Sequence, residues 1–347
     1  MFRGWFPVLR LVLVIAWLSL ICACTTGGRV LGRFEYAKMI MGVEARIILH
    51  APDEAAARRA ARDAFARIEA LDAVMSDYRP DSELMRACRA AAEGPVSISD
   101  DLYRVLDRAR AISQASDGAF DVTVGPLVRL WREARAESRL PAPQAIEQAR
   151  AAVGWRGVLL DPRQRTMTLG WPGMRLDLGG IGKGYAADEA LDTLMRHGVR
   201  RCLVDLGGDI ALGRPPPDRE GWRVAVRSGW AEDEQLLLQL FLAAVATSGD
   251  TSQFLEIGGR RYSHILDPRT GLGLTNRVAV TVIAPDAATA DALASALSVL
   301  GPDRGLALLE KFPGASALIE TWTPQGVRRV RSETFPPPSE PEMRYPE

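Results

Sequence analysis

The sequence predicts an α+β fold, and three observations carry that reading. Two long stretches, 53–75 and 99–113, repeat apolar residues at three- and four-residue steps, the period of an amphipathic helix. Short runs such as 36–41, 45–49 and 278–283 have the length and β-branched or alternating character of strands. Between them, 174–208 reads as strand end, glycine loop, helix and strand, with Asp-Leu-Gly-Gly at Asp177 and again 28 residues later at Asp205. That spacing fits a crossover that sets two strand ends and two glycine turns side by side at one sheet edge.

Taken in order, 36–41 and 45–49 are strands joined at Gly42, and the helix over 53–75 follows. Ser82 is placed to cap a short helix, and Ser99 with Asp100 to cap the helix running to Ser113. Residues 127–131 look helical, and a proline start at Pro141 and Pro143 opens another helix to Ala152. A hairpin over 158–160 and 166–169 leads into the central loop, whose second strand is 199–204. Beyond the turn at 214–218, strands are expected at 222–226, 236–242, 254–257 and 278–283, then a helix at 287–300. Segments 306–311 and 315–320 complete the core, and the proline-rich stretch from Pro336 is too polar to pack.

The N-terminus carries a separate signal. Arg3 and Arg10 mark a basic start, followed by an apolar run, 11–21, too short for a comfortable membrane span. It ends in Cys22-Ala23-Cys24 and a polar stretch. This pattern resembles a bacterial lipoprotein leader, cut before Cys24 with lipid on that cysteine; an ordinary signal peptide or an anchor helix is the alternative. The expected organisation is a leader over 1–23, a tether over 24–33, the folded domain over 34–330 and a disordered tail over 331–347.

Composition narrows the function classes. The 347 residues are 47% apolar and 25% charged, with 43 basic against 43 acidic residues. No face-sized basic cluster argues for nucleic acid. Only Lys38, Lys183 and Lys311 are lysines, so a lysine inside the glycine loop is notable. Of the four cysteines, Cys22 would be lost with the leader and Cys24 lipidated. Cys88 and Cys202 remain, with or without a bond between them.

Four constellations could carry chemistry. Gly179, Gly180, Gly182 and Gly184 crowd into six positions before a helix, with Asp177 and Lys183 beside them. Such a loop lets backbone approach an anion at a helix N-terminus, or is merely a tight turn. Neither the dinucleotide fingerprint nor the P-loop spacing is present. Asp291 and Ser295 lie four apart on one helix face. They offer hard oxygens to magnesium, or act as a helix-end carboxylate and a serine bonded to backbone. His264, one of three histidines, stands between Ser263 and an Asp267-Pro268 turn, in a structural or a functional role. The stretch 116–127 mixes turn and polar residues, so Asp121 either caps a connection or serves a site.

Several of these motifs together carry a resemblance. Met41-Gly42, Gly118-Ala119-Phe120-Asp121, the 177–184 loop, Gly207-Gly208-Asp209, the stretches 246–250 and 263–271, and 291–301 fall in one order. In that order and spacing the chain resembles the ApbE family of flavin transferases over about residues 34–320.

The resemblance implies two intertwined α/β half-domains with mixed sheets and a cofactor cleft between them. It implies an enzyme that uses magnesium to move FMN from FAD onto a threonine or serine hydroxyl of a target protein, releasing AMP. Met41, Tyr78, Ala119, Phe120, Asp121, Asp177, Lys183 and Ile265 would lie on FAD. The Gly180 carbonyl, Asp291 and Ser295 would hold the metal, and His264, Asp291 and Lys183 would serve catalysis. Ser295 stands where the family usually has threonine, and Cys88 where asparagine is common. The family's envelope location agrees with a lipid anchor on the periplasmic side of the inner membrane. Two rival readings are a magnesium-dependent FAD pyrophosphatase and a flavin-binding lipoprotein without chemistry.

Overall fold

The first two strands, β1 (Gly32–Ile40) and β2 (Val43–Ala51), pair antiparallel along their whole length. They turn at Met41 and Gly42, both with positive φ (55° and 75°), the twist a two-residue hairpin requires. Glycine meets that requirement freely; Met41 is held in it. The computed structural model describes residues 30–227, 235–249 and 254–339. The leader, Cys24, residues 25–29 of the expected tether, Asp250 and the last eight residues of the expected tail lie outside them.

β2 leads into α1 (Glu54–Met75), whose N-cap Asp53 accepts from the Ala56 N–H. Ser82 caps α2 (Glu83–Ala90), and Ser99 caps α3 (Asp100–Ala115), as the sequence predicts. The short strand β3 (Val96–Ser97) lies between them. α4 (Gly125–Ala136) and α5 (Pro143–Ala151) each place proline in the first turn, where its missing N–H costs nothing. β4 (Val158–Asp161) and β5 (Thr166–Leu169) form the expected hairpin, to which β3 adds a third strand.

The main sheet is antiparallel throughout. Its other members are β6 (Cys202–Leu206), β7 (Asp209–Leu212), β10 (Ala244–Gly249), β15 (Val278–Ala284), β16 (Ser316–Thr323) and β17 (Gly326–Arg331). The order is β1-β2-β6-β7-β10-β15-β16-β17. Side chains alternate between its faces. Ile47, Leu49, Val204, Val280 and Val282 join the main core with the helices. Leu203, Leu212, Val245, Ile283 and Leu318 join a second core beneath the hairpin of β8 (Trp222–Arg227) and β9 (Gln235–Leu240). Burial on both faces explains why these strands read as near-continuous apolar runs. A third cluster gathers Leu127 and Trp131 of α4 with the β11 (Phe254–Ile257) and β12 (Arg260–Ser263) hairpin. A last short pair, β13 (Leu266–Asp267) and β14 (Leu272–Gly273), follows it.

Three expectations need correction. Residues 174–178 are not a strand of this sheet: Arg175 makes one isolated parallel bridge with Val124, and the Asp177 N–H donates to Val122 O at 2.8 Å. The backbone of this segment is spent on the 121–124 loop, so no parallel crossover forms through α6 (Gly182–Arg196). The tether ends sooner than Arg33, because β1 begins at Gly32. The unpacked tail does not begin at 331. Arg331 closes β17, Phe335 is buried in the second core, and Ser339 donates from its N–H to Leu237 O at 2.8 Å.

Candidate functional site

The site is built on a meeting of two helices. α6 starts at Gly182 with no side-chain cap of its own. Its first-turn donor, the Gly184 N–H, points instead at Asp291 Oδ2, 3.2 Å away on α7 (Ala287–Leu309). A carboxylate there also opposes the positive end of α6. Contact is close because Gly184 lacks a side chain: a Cβ would lie 2.1 Å from the Ala287 carbonyl oxygen. In return, Asp188 of α6 accepts from the Ala287 and Ala288 N–H groups (2.8 and 3.0 Å) and so closes the start of α7. Each helix therefore caps the other.

Ser295, one turn beyond Asp291, reaches back to the loop. A Cβ on Gly180 would sit 2.9 Å from Ser295 Oγ and 3.3 Å from the Phe120 ring. Gly180, Phe120, Asp291 and Ser295, named separately from sequence, thus share one knot. Lys183 lies in it too, but its ammonium is paired with Asp209 rather than standing free. Burial pulls the ammonium down, and Asp209, Asp291 and Asp205 together more than reverse this, leaving it above its ordinary value. The Met41 turn abuts the same place, since a Cβ on Gly207 would lie 2.9 Å from Val43.

The other end of the loop holds Asp177. It accepts from the Gly179 N–H at 2.7 Å and faces the Arg132 guanidinium at 3.4 Å. Arg132 also pairs with Asp77 and lies 3.9 Å above the Tyr78 ring, itself 75% exposed. Tyr78 is thereby a large aromatic face held ready at the surface. Asp121 points elsewhere: it accepts from Thr123 N–H, Thr123 Oγ1 and Trp155 N–H (2.8, 2.6 and 2.9 Å). It shapes the loop that carries Ala119 and Phe120, both buried.

His264 and Ile265 lie in the bend between β12 and β13, not in a strand. Ser263 Oγ accepts from the Ile265 N–H at 3.0 Å, and Trp131 Nε1 donates to Gly271 O at 2.9 Å. His264 is half-buried on this clamped bend. Cys88 and Cys202 are both free and buried; no bond joins them.

Sequence reasoning missed Asp77, Arg132 and Asp188 as members of the site. Arginine is so common in this chain that Arg132, 45 positions from Asp177, carried no signal. Asp188 had one, since a carboxylate on the apolar side of an Ala-rich helix needs a buried partner.

Burial, aided by neighbouring acids, lifts three of these carboxyls. Asp177 is pushed up to about 6 by burial and Asp77. Asp188 rises to about 7 by burial, against the two N–H groups it accepts. Asp291 rises to about 7 by burial and Asp209, against Lys183. These protons stay on in the folded chain and leave the unfolded chain near pH 4. Stability is therefore fullest below about pH 4 and falls as pH rises, through about 6 for Asp177 and about 7 for Asp188 and Asp291. In EDTA, the thermal midpoint is expected to fall between pH 5 and pH 8. A midpoint that rises over this range would show that these groups ionise freely in the fold.

The comparisons with known proteins bear on this geometry. A family model described as the ApbE family matches residues 41–319. This chain belongs to the ApbE family. Among similar proteins, the FAD:protein FMN transferase of Treponema pallidum is 35% identical, over 84% of this chain and 86% of the relative. That of Klebsiella pneumoniae is 32% identical, over 83% and 89%. The solved flavin transferase ApbE of Vibrio cholerae superposes with a TM-score of 0.79 at 31% identity, covering 88% of this chain and 98% of its own. The apo flavinyl transferase ApbE of Pseudomonas stutzeri gives 0.78 at 32%, covering 88% and 96%. The α+β architecture is thus that of the ApbE flavin transferases.

Proposed function

We propose that this protein is a magnesium-dependent FAD:protein FMN transferase. The observation that carries the reading is the knot where the 179–184 loop meets Asp291 and Ser295 across the α6–α7 contact. The donors available there, a carboxylate, a hydroxyl and the Gly180 carbonyl, are hard oxygens suited to magnesium. Among the described residues no group of three His, Cys, Asp or Glu forms a cage for a softer metal. So few protein ligands leave room for water and phosphate oxygens. When bound, the metal neutralises the pyrophosphate and the departing phosphate.

The chain's own groups supply the rest. Gly179 and Gly180 let backbone come close to the pyrophosphate, and Lys183 adds fixed positive charge beneath it. Tyr78 offers its exposed face to the flavin, with Arg132 and Asp177 behind it. The acceptor hydroxyl oxygen bonds to the FMN phosphorus, the bond from that phosphorus to the bridging oxygen breaks, and AMP leaves. His264 takes the hydroxyl proton. Mass spectrometry of a flavoprotein acceptor incubated with FAD and magnesium tests the reading. One FMN gained on a single hydroxyl supports it; free FMN with an unmodified acceptor favours the pyrophosphatase.

Location belongs to the same proposal. A lipid on Cys24 would hold the enzyme at the periplasmic face of the inner membrane. Cys24→Ala is expected to shift the protein to the soluble fraction or to leave the leader uncut. A processed variant that stays membrane-bound would sink the anchor.

A further inference from the structure

A cavity of about 600 Å³ opens where the chain enters the fold, away from the site described above. Leu31, Ile48, Leu203 and Trp222 give it apolar walls. Arg33, Arg219 and Arg223 line it with the carboxylate of Asp218, and Arg33 also pairs with Glu35 at 2.7 Å. This is the size and mixture of a site for one small amphipathic ligand. His50 lines it as well, 8% exposed, and neither ring nitrogen has a hydrogen-bond partner. Burial and Arg33 hold this imidazole below its ordinary pKa, so at neutral pH it is uncharged with one unspent N–H. A buried donor left without a partner is costly.

Exposed apolar side chains follow or precede the lining residues in the chain. Val30, 92% exposed, precedes Leu31. Phe241 and Leu242, 56% and 60% exposed, follow Leu240, which faces Trp222 across the β8–β9 hairpin. The Leu242 N–H is tied to Gly213 O at 3.3 Å, and Leu242 is held at a φ of 47°. Arg201 joins this end through its carbonyl, which accepts from the His50 backbone N–H, and through its guanidinium, which donates to Pro216 O at 3.3 Å. Arg219 enters no ion pair among the described residues. The Met41 turn of the candidate site is at the far end of β1, roughly 30 Å away at the rise of a nine-residue strand.

We propose that this cavity takes the headgroup of an anionic phospholipid, with Val30, Phe241 and Leu242 set into the bilayer around it. Arg33, Arg219 and Arg223 answer the phosphodiester, and the apolar walls answer the glycerol and acyl carbons; His50 backs the cavity from beneath. The chain's entry point chooses the membrane as the occupant. Seven residue steps from Cys24 to Leu31 reach at most about 25 Å, so a lipid on Cys24 keeps this end at the bilayer. A basic patch beside a lipid anchor is the usual two-part attachment. The choice of a membrane lipid and the orientation rest on the Cys24 anchor, whereas the amphipathic, anion-binding chemistry of the cavity does not. The outcome is an enzyme whose FAD site faces away from the membrane.

Native mass spectrometry of the full chain in non-ionic detergent tests this, with dioleoylphosphatidylglycerol, dioleoylphosphatidylcholine or glycerol 3-phosphate added. One phosphatidylglycerol is expected to bind on the order of tenfold tighter than phosphatidylcholine. Arg219→Glu with Arg33→Glu is expected to remove that preference while FMN transfer to a soluble acceptor is unchanged. The Cys24→Ala chain is expected to keep the preference; its loss there would assign the lipid to the anchor and overturn the proposal. Equal binding of the two lipids, or a preference untouched by the double variant, overturns it too. Glycerol 3-phosphate binding as tightly as phosphatidylglycerol would replace the lipid with a soluble phosphate ester.

Discussion

Asp291→Ala is expected to lower FMN transfer by on the order of a thousandfold, the scale of losing several kcal/mol of charge stabilisation. Asp291 is 6% exposed and is the carboxylate that α7 turns toward the 179–184 loop. Its removal takes the anionic ligand from the proposed magnesium site, an acceptor from the Gly184 N–H and a counter-charge from Lys183. Ser295→Ala removes only a neutral oxygen and is expected to cost far less. Ser295→Thr keeps the hydroxyl and is expected to be close to neutral. Transfer measured across a magnesium titration separates them: excess metal should restore Ser295→Ala and not Asp291→Ala. Full activity of Asp291→Ala with the metal chelated away would reduce Asp291 to a helix-capping group.

Much of the fold was legible because local signals and tertiary packing agree. Asp53, Ser82 and Ser99 each begin a helix where a capping side chain precedes an apolar period. The helix expected to end at Leu300 does break there, at Gly301 (φ 72°) before Pro302, although a second helical stretch runs on. The segment 174–178 misled because its alternation is real but serves another purpose. Leu176 and Leu178 are buried in the main core without forming a strand of the sheet. Phe335 was hidden in a stretch of prolines, whose composition says nothing of one aromatic that finds a core.

The site was legible in its parts and not in its wiring. The glycines, Lys183, Asp291 and Ser295 were each singled out by residue type and spacing, and the fold brings them into one knot. Nothing in the sequence said that Lys183 would turn to Asp209, or that Asp121 would spend its oxygens on Thr123 and Trp155. Those are long-range or competing partners, chosen by the fold. Asp188 and Asp291 show the same limit: their helices cap one another across about a hundred residues, a relation with no local pattern.

Gly180→Val is expected to weaken FAD binding by roughly ten- to a hundredfold, the scale of 1–3 kcal/mol for overpacking. Gly180 has no positive φ, so a side chain there does not strain the backbone. The damage comes from space. Its Cβ would stand 2.9 Å from Ser295 Oγ and 3.3 Å from Phe120 Cε2. Ser295 can rotate aside, at the expense of the proposed metal, whereas buried Phe120 cannot move without disturbing the core. Gly180→Ala, with one methyl, should be milder. Gly184→Ala is the control for lost folding, because its Cβ would lie 2.1 Å from the fixed Ala287 carbonyl and would push α6 and α7 apart. The expected result is therefore a Gly180→Val protein that still folds, with a modestly lowered thermal midpoint and poor FAD affinity, beside a Gly184→Ala protein that melts far earlier. FAD titration followed by flavin fluorescence, with a melt of each variant, decides the matter. Parental FAD affinity in folded Gly180→Val would mean that the 179–184 loop does not touch the substrate.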